Sequence, residues 1–146
     1  MGSGHLADTY VAAIQHDLAD LEPETTLVGV VRHPTSWFHA AVDENVPELG
    51  PPEELLESIS EAEEALKMRG FCGEGAHNAA WEEVGFEAEY RTYLEESSAA
   101  RAALEDLEER LADGESLALV CFENTAKKRC HRTILCEHLE DRSRFR

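Results

Sequence analysis

The tripeptide Cys130-His131-Arg132 holds the side chains in this sequence that are best suited to chemistry. A cysteine thiolate is a nucleophile, a histidine exchanges protons near neutral pH, and an arginine binds anions through its guanidinium. The apolar run Leu117–Phe122, within a segment 116–122, predicts a buried strand before it, and residues 131–140 have helical spacing. Cys130 is therefore expected at a helix N-terminus, where backbone N–H groups and the helix dipole favour a thiolate.

These positions give a set of candidate catalytic residues. Cys130 is the expected nucleophile or thiolate, His131 the expected acid or base, and Glu123, just past the strand, the expected orienting carboxylate. An alternative stays open for His131, because it shares one helix face with apolar residues and can be a packed core histidine.

A positive cluster accompanies the site. Lys127, Lys128, Arg129 and Arg132 fall within six residues of an otherwise acidic chain, and such a cluster implies an anion. The anion is either an external ligand or an internal carboxylate, so Arg132 is a candidate for ligand binding and, alternatively, for a salt bridge with Glu123 or another acid.

A second candidate ligand-binding segment follows residues 26–31, an apolar run rich in β-branched residues that predicts a buried strand of a parallel sheet. Arg32 comes directly after it, and α/β sheets bind ligands beyond the carboxyl ends of their strands. We expect Arg32 to bind the anion together with Arg132, although pairing with one of the many carboxylates is an equal alternative. Trp37 is a further candidate for ligand contact, with packing as its alternative.

The remaining cysteines give weaker signals. Cys121 and Cys136 have the character of small buried apolar residues. Cys72 and His77 could supply two metal ligands, but no second pair is nearby, and the chain has no C-x-x-C motif. A metal site built from Cys130, His131 and Cys121, or from Cys72 and His77, ranks last among the hypotheses, and neither a metal nor another cofactor is expected.

Composition limits the partners. The 146 residues include 31 acidic and 13 basic side chains, a net charge of −18 that disfavours nucleic acid without excluding it. Acidic residues in every segment and only three lysines favour the cytoplasm of a salt-loving organism over an ordinary acidic protein. No apolar run approaches the ~20 residues that span a bilayer, and the N-terminus lacks the features of a signal peptide, so a cytoplasmic protein without membrane contact is expected.

Periodicity predicts an α/β fold. Residues 6–10 fit a short strand or the start of a helix, and a helix follows over about 11–20. Further helices are expected over 52–69, 79–95 with a kink at Gly85, and from Ser97 or Ser98 to 112, with extended loops over 37–52 and 71–78. Residues 1–146 are expected to form one compact Rossmann-like domain, with a small, mainly parallel sheet of about three or four strands flanked by helices.

The segment LALVCFENTAKKRCHRTILCEHL resembles the signature of the domain-of-unknown-function family 488: an apolar strand, Cys-x-Glu, a short loop, and Cys-His-Arg opening a helix. Weaker similarities cover most of the chain and lie in Asp8-Thr-Tyr-Val-Ala12, Val30-Val-Arg32 with Pro34, Pro47-Glu-Leu-Gly50, and Ala80-Trp-Glu-Glu with Phe86 and Tyr90. The resemblance implies a compact α/β fold, favours the strand at 6–10, and places the site at Cys121, Glu123 and Cys130 to Arg132. The acidity is similar to that of a haloarchaeal member, and the Lys-Lys-Arg of the loop departs from the family pattern.

The reaction of that family is not established, so two hypotheses stay open. The first is a small enzyme acting on an anionic, phosphate-bearing or nucleotide-like substrate through Cys130. The second is a non-catalytic module that binds a metabolite, a nucleic acid or a protein partner in the same place. The sequence does not predict an oligomeric state.

Overall fold

A sheet of parallel strands organises the part of the chain that the computed structural model describes, residues 4–15, 21, 23–121 and 130–144. Its four strands run in the order β1-β4-β2-β3, and every pair of neighbours is parallel. They are β1 (Leu6–Tyr10), β2 (Thr26–Gly29), β3 (Glu44–Asn45) and β4 (Leu117–Cys121). Because all four point the same way, the residues that follow β2 and β4 meet at one edge of the sheet.

The strand β4 lies inside the sheet because its sequence is apolar throughout. All five of its residues are buried, and Leu117 pairs with Leu6 of β1 on one side and Thr26 of β2 on the other. The Val30 amide donates to the Val120 carbonyl at 3.0 Å, so β2 and β4 stay adjacent beyond Gly29. A strand covered on both faces reads as a continuous hydrophobic run, which is the pattern of this segment.

Helices cover both faces of the sheet. One face packs with residues of the two short helices, including Val11, Phe38 and Val120, and the other forms the larger core, which includes Leu66, Leu104, Leu119 and Leu135. The helices are α1 (Val11–Gln15), α2 (Ser36–Ala41), α3 (Glu53–Met68), α4 (Gly73–Val84), α5 (Phe86–Glu96), α6 (Ser98–Ala112) and α7 (His131–Arg144), and a 3-10 helix spans Pro47–Leu49. The predicted α/β class with a small parallel sheet is confirmed.

Two predicted loops are wrong over part of their length. In the first, Thr35 caps α2 by accepting a hydrogen bond from the Phe38 amide, and the buried Phe38 anchors this helix, which is too short to show a periodic pattern. That region also contains β3 and the 3-10 helix. In the second, Cys72 caps α4 through a bond from the Gly75 amide at 3.2 Å, so the glycines that indicated a loop occupy a first helical turn.

The segment from 79 to 95 belongs to two helices rather than to one kinked helix. Gly85 has φ of 70°, a left-handed conformation that glycine adopts without steric cost, and it separates α4 from α5. Ser97 caps α6, and its hydroxyl accepts a bond from the Ala100 amide. Among the described residues, no helix is both long enough and apolar enough to cross a membrane.

Candidate functional site

A pocket of about 270 Å³ opens where β2 and β4 end and α7 begins. Arg32, Cys130 and His131 line it together, although Arg32 is almost a hundred residues away from the other two. The opposite wall comes from α3, α4 and the start of α5. The remaining lining residues are Val31, His33, Pro51, Leu56, Ile59, His77, Trp81, Phe86 and Cys121.

Arg32 is held in place by backbone carbonyls and a tyrosine. Its Nε donates to the Pro51 carbonyl at 3.0 Å, and its Nη2 donates to the Gly50 carbonyl at 3.0 Å and the Tyr93 hydroxyl at 2.8 Å. The Tyr93 hydroxyl donates in turn to the Glu48 carbonyl at 2.6 Å. The segment after β3 therefore acts as a backbone clamp that fixes the guanidinium at the pocket.

Arg32 differs in its partners from the other arginines of the described chain whose side chains are partly or fully buried. Each of those has a carboxylate within ion-pair distance; they are Arg91, Arg110, Arg132 and Arg142. Arg32 donates only to neutral oxygens, and no described carboxylate pairs with it. A positive charge without a countercharge, fixed at a pocket, attracts an anionic ligand.

Cys130 directly precedes α7, and only 5% of its surface is exposed. Its sulfur lies 2.7 Å from the sulfur of Cys121 and 3.6 Å from His131 Nδ1, and both cysteines are free thiols. The hydrogen bond to Cys130, together with burial, raises the pKa of the Cys121 thiol well above its usual value. Cys121 therefore keeps its proton, and its S–H can donate to the Cys130 sulfur.

His131 is a buried histidine with both ring nitrogens directed at partners. Its Nε2 donates to the Val30 carbonyl at 2.6 Å, and its ring meets the edge of the Tyr90 ring at a centroid distance of 5.6 Å. Burial lowers the pKa of His131. Because the neutral ring carries its proton on Nε2, Nδ1 can accept a proton from the Cys130 thiol. His131 can therefore be a packed histidine and a proton acceptor at the same time.

A family comparison matches residues 10–143 to a model described as the active DUF488-N3 subclade. The chain belongs to the DUF488 family. The match covers the ends of β2 and β4 and the whole of Cys130-His131-Arg132, so every described part of the DUF488 pocket lies within it. A search of the curated proteins and a search of the solved structures give no significant match.

In this DUF488 chain, Arg132 points to β1 and is not among the residues that line the pocket. Its Nε lies 2.7 Å from Asp8 Oδ2, and its Nη1 donates to the Thr9 carbonyl and to Cys121 Sγ, the latter at 3.2 Å. The internal carboxylate considered as the alternative partner is thus present, and it is Asp8. The role of Arg132 in ligand binding stays a prediction.

The other predicted site residues lie elsewhere. Trp37 is in α2, is 49% exposed, and does not line the pocket. Glu123 lies outside the described residues, as do the basic residues 127–129. The roles assigned to these residues therefore also stay predictions.

The DUF488 pocket contains residues that the sequence did not single out for it. One is His77, which the sequence offers as a metal ligand together with Cys72. Its Nδ1 lies 2.6 Å from Glu63 Oε1, and the residue lines the pocket beside Trp81. Among the described residues, no group of three or more His, Cys, Asp or Glu side chains could hold a metal ion. The Ala80-Trp-Glu-Glu similarity was the one sequence signal that pointed at Trp81, whereas nothing in the spacing indicated Tyr93.

Proposed function

We propose that the protein binds a small anionic ligand, with a phosphate or a similar oxyanion, at Arg32, and that Cys130 acts on it as a nucleophile. The observation that carries this proposal is the presence in one pocket of a guanidinium without a carboxylate partner and a thiol at the start of a helix. A surface with a net charge of −18 repels anions, so a fixed local cation is what would make this pocket selective for one.

Arg32 suits the recognition of an oxyanion. A guanidinium has five N–H donors in a planar fork. Three of the five donors of Arg32 are used in the bonds to the backbone clamp and to Tyr93. Both Nη1 donors are without a partner among the described residues and remain for a ligand oxygen. The clamp orders the side chain in advance, which lowers the entropic cost of binding.

Cys130 supplies the reactive group. In the proposed displacement, the thiol proton passes to His131 Nδ1 while the sulfur forms a bond to the electrophilic atom of the ligand. The leaving group departs with the electron pair of the broken bond and takes a proton from His131 or water. Attack of water on the covalent adduct then releases the second product, and a proton returns to the thiolate.

A non-catalytic binding module is the second candidate, and the low exposure of Cys130 favours it. In that case Arg32 binds the same anion while Cys130 only packs against Cys121. Labelling of residue 130 by an anionic electrophile separates the two: a nucleophilic Cys130 is labelled in the wild type and not in Cys130→Ser, whereas a Cys130 that only packs stays unlabelled while the anion still binds reversibly.

Binding of inorganic phosphate tests the proposal directly. Line broadening in ³¹P NMR is expected to give a dissociation constant that rises at least about tenfold in Arg32→Gln, the loss expected for a charge-assisted hydrogen bond. Arg69→Gln is the matched control, since Arg69 is exposed and lies over the Phe71 ring instead of in the pocket. Equal phosphate affinity in wild type and Arg32→Gln would overturn the proposal.

A further inference from the structure

We infer that the anion bound at Arg32 carries an apolar body of about one ring, so that the natural ligand is an aromatic or similarly compact hydrophobic monoanion or monoester. This inference rests on the proposed function and adds the class of ligand. It follows from the part of the pocket that lies away from Arg32.

The wall that α3, α4 and the start of α5 contribute is apolar apart from His77. Leu56 and Ile59 come from α3, Trp81 from α4 and Phe86 from the start of α5. The Trp81 and Phe86 rings stack with centroids 3.7 Å apart, and both residues are almost completely buried. A stacked aromatic pair beside aliphatic side chains gives favourable contacts to a flat apolar group and none to a charged one.

Few groups of the pocket are polar, and apart from His77, whose Nδ1 lies 2.6 Å from Glu63 Oε1, they follow the ends of β2 and β4. Arg32 is the only side chain with a permanent positive charge among the described lining residues, and the exposed His33 is paired with Glu53 at the rim. One guanidinium matches one oxyanion. A di- or triphosphate chain would place further charges against the apolar wall, where they would lose hydration without gaining a cation.

The size of the pocket agrees with a small ligand. Its volume of about 270 Å³ lies just below the roughly 300–1,000 Å³ that is usual for pockets binding drug-sized molecules. A single ring with an anionic group fits that space better than a nucleotide with its base, ribose and phosphates. In pockets with apolar walls and a few polar groups, the polar groups orient the ligand and the apolar walls supply most of the affinity.

The test compares two monoesters with the same head group and charge. Ligand-observed NMR on the intact chain is expected to show phenyl phosphate binding at least about tenfold more tightly than methyl phosphate, because only phenyl phosphate buries a ring. Adenosine triphosphate is expected to bind no more tightly than inorganic phosphate. Benzoate and acetate repeat the comparison with a carboxylate head group and report whether the oxyanion must be a phosphate; tighter binding of benzoate than of acetate supports the apolar body.

A pocket-filling variant localises the effect. Leu56→Trp is expected to reduce the preference for phenyl over methyl phosphate to about one while methyl phosphate still binds, since Leu56 lies on the apolar wall and is only partly buried. Met68→Trp on the same helix is the control, because Met68 is exposed and lies outside the pocket.

Two failures are distinguishable. Equal affinity for the two esters, with both lost in Arg32→Gln, overturns the inference and leaves the proposed function standing. If neither ester binds, or if both bind equally well in wild type and Arg32→Gln, the inference and the proposed function are both overturned.

Discussion

Arg132 Nε lies 2.7 Å from Asp8 Oδ2 and thereby ties the first turn of α7 to the first strand of the sheet across 124 positions of the chain. The Arg132 side chain is 3% exposed, whereas the Asp8 side chain is 40% exposed. The cation is thus the buried member of the pair. This contact places the start of α7, and Cys130 with it, against the carboxyl end of β4.

The first prediction concerns this ion pair. Asp8→Asn removes the carboxylate that lies 2.7 Å from the buried guanidinium and is expected to lower the free energy of unfolding by about 1–2 kcal/mol, less than for a fully buried pair because the Asp8 side chain is 40% exposed. Adding Arg132→Met removes the buried charge, so the double variant is expected to regain part of that loss in urea unfolding.

The same variant separates a structural from a ligand-binding role of Arg132. If Arg132 binds the anion, Asp8→Asn releases it from competition and phosphate binds more tightly. We expect phosphate affinity to stay unchanged, and a tighter dissociation constant in Asp8→Asn would contradict this assignment.

A second prediction follows from the burial of His131, which lowers its pKa below the usual value of 6.5. Between the two pKa values the unfolded chain binds more protons than the folded chain. The free energy of unfolding therefore falls as the pH is lowered below about 6.5, with a slope of at most about 1.4 kcal/mol per pH unit for one proton.

His131→Gln is expected to make this pH dependence shallower in urea unfolding between pH 7.5 and 5.5, whatever its effect on stability at pH 7.5. His39→Gln, at an exposed histidine, serves as the control and should leave the slope unchanged. An identical slope in wild type and His131→Gln would show that the buried ring does not titrate with unfolding.

The third prediction concerns the clamp on Arg32. A Cβ added at Gly50 would lie 2.5 Å from the Arg32 amide nitrogen, so Gly50→Ala must displace the backbone of one of the two residues. We expect a loss of about 1–3 kcal/mol in the free energy of unfolding and weaker phosphate binding. Gly73→Ala is the matched control, because a Cβ there meets nothing within 4 Å and the substitution should be neutral or slightly stabilising.

A fourth prediction concerns the net charge of −18. Raising KCl from 0.05 to 0.5 M shortens the screening length from about 14 Å to about 4 Å and is expected to raise the free energy of unfolding. Replacing the exposed Glu57, Glu61 and Glu64 by lysine makes the net charge less negative by two units each and should flatten this dependence. A stability that is independent of salt would argue against adaptation to high salt.

Much of the fold was predictable because its signals are local. The strand Leu117–Cys121 is apolar at every position, and α3 carries Leu55, Ile59 and Leu66 on one buried face. The convergence of Arg32 with Cys130 was predictable as well, since both follow strands of a parallel sheet. The helices α2 and the first half of α4 were missed because capping by Thr35 and Cys72, and not periodicity, defines where they begin.

The finer geometry of the site depends on contacts between distant residues. The bond from Arg132 to Asp8 and the hold of Gly50 and Tyr93 on Arg32 connect segments that no periodic pattern relates. The two arginines looked equivalent in the sequence. Their three-dimensional partners differ: Arg132 Nε lies 2.7 Å from Asp8 Oδ2, whereas Arg32 lines the pocket and pairs with no described carboxylate.

The most direct test of the central claim is the alkylation of Cys130 by iodoacetate, an anion, compared with iodoacetamide, its neutral analogue. Cys72 is an internal reference, because it too directly precedes a helix but is exposed and lies outside the pocket. Peptide mass spectrometry after removal of reductant gives both rates at both cysteines. We expect the rate ratio of iodoacetate to iodoacetamide to be at least about tenfold higher at Cys130 than at Cys72, and to fall to the Cys72 value in Arg32→Gln but not in Arg69→Gln. The same ratio at both cysteines, or a ratio at Cys130 that Arg32→Gln leaves unchanged, would contradict an anion-binding pocket with a reactive thiol.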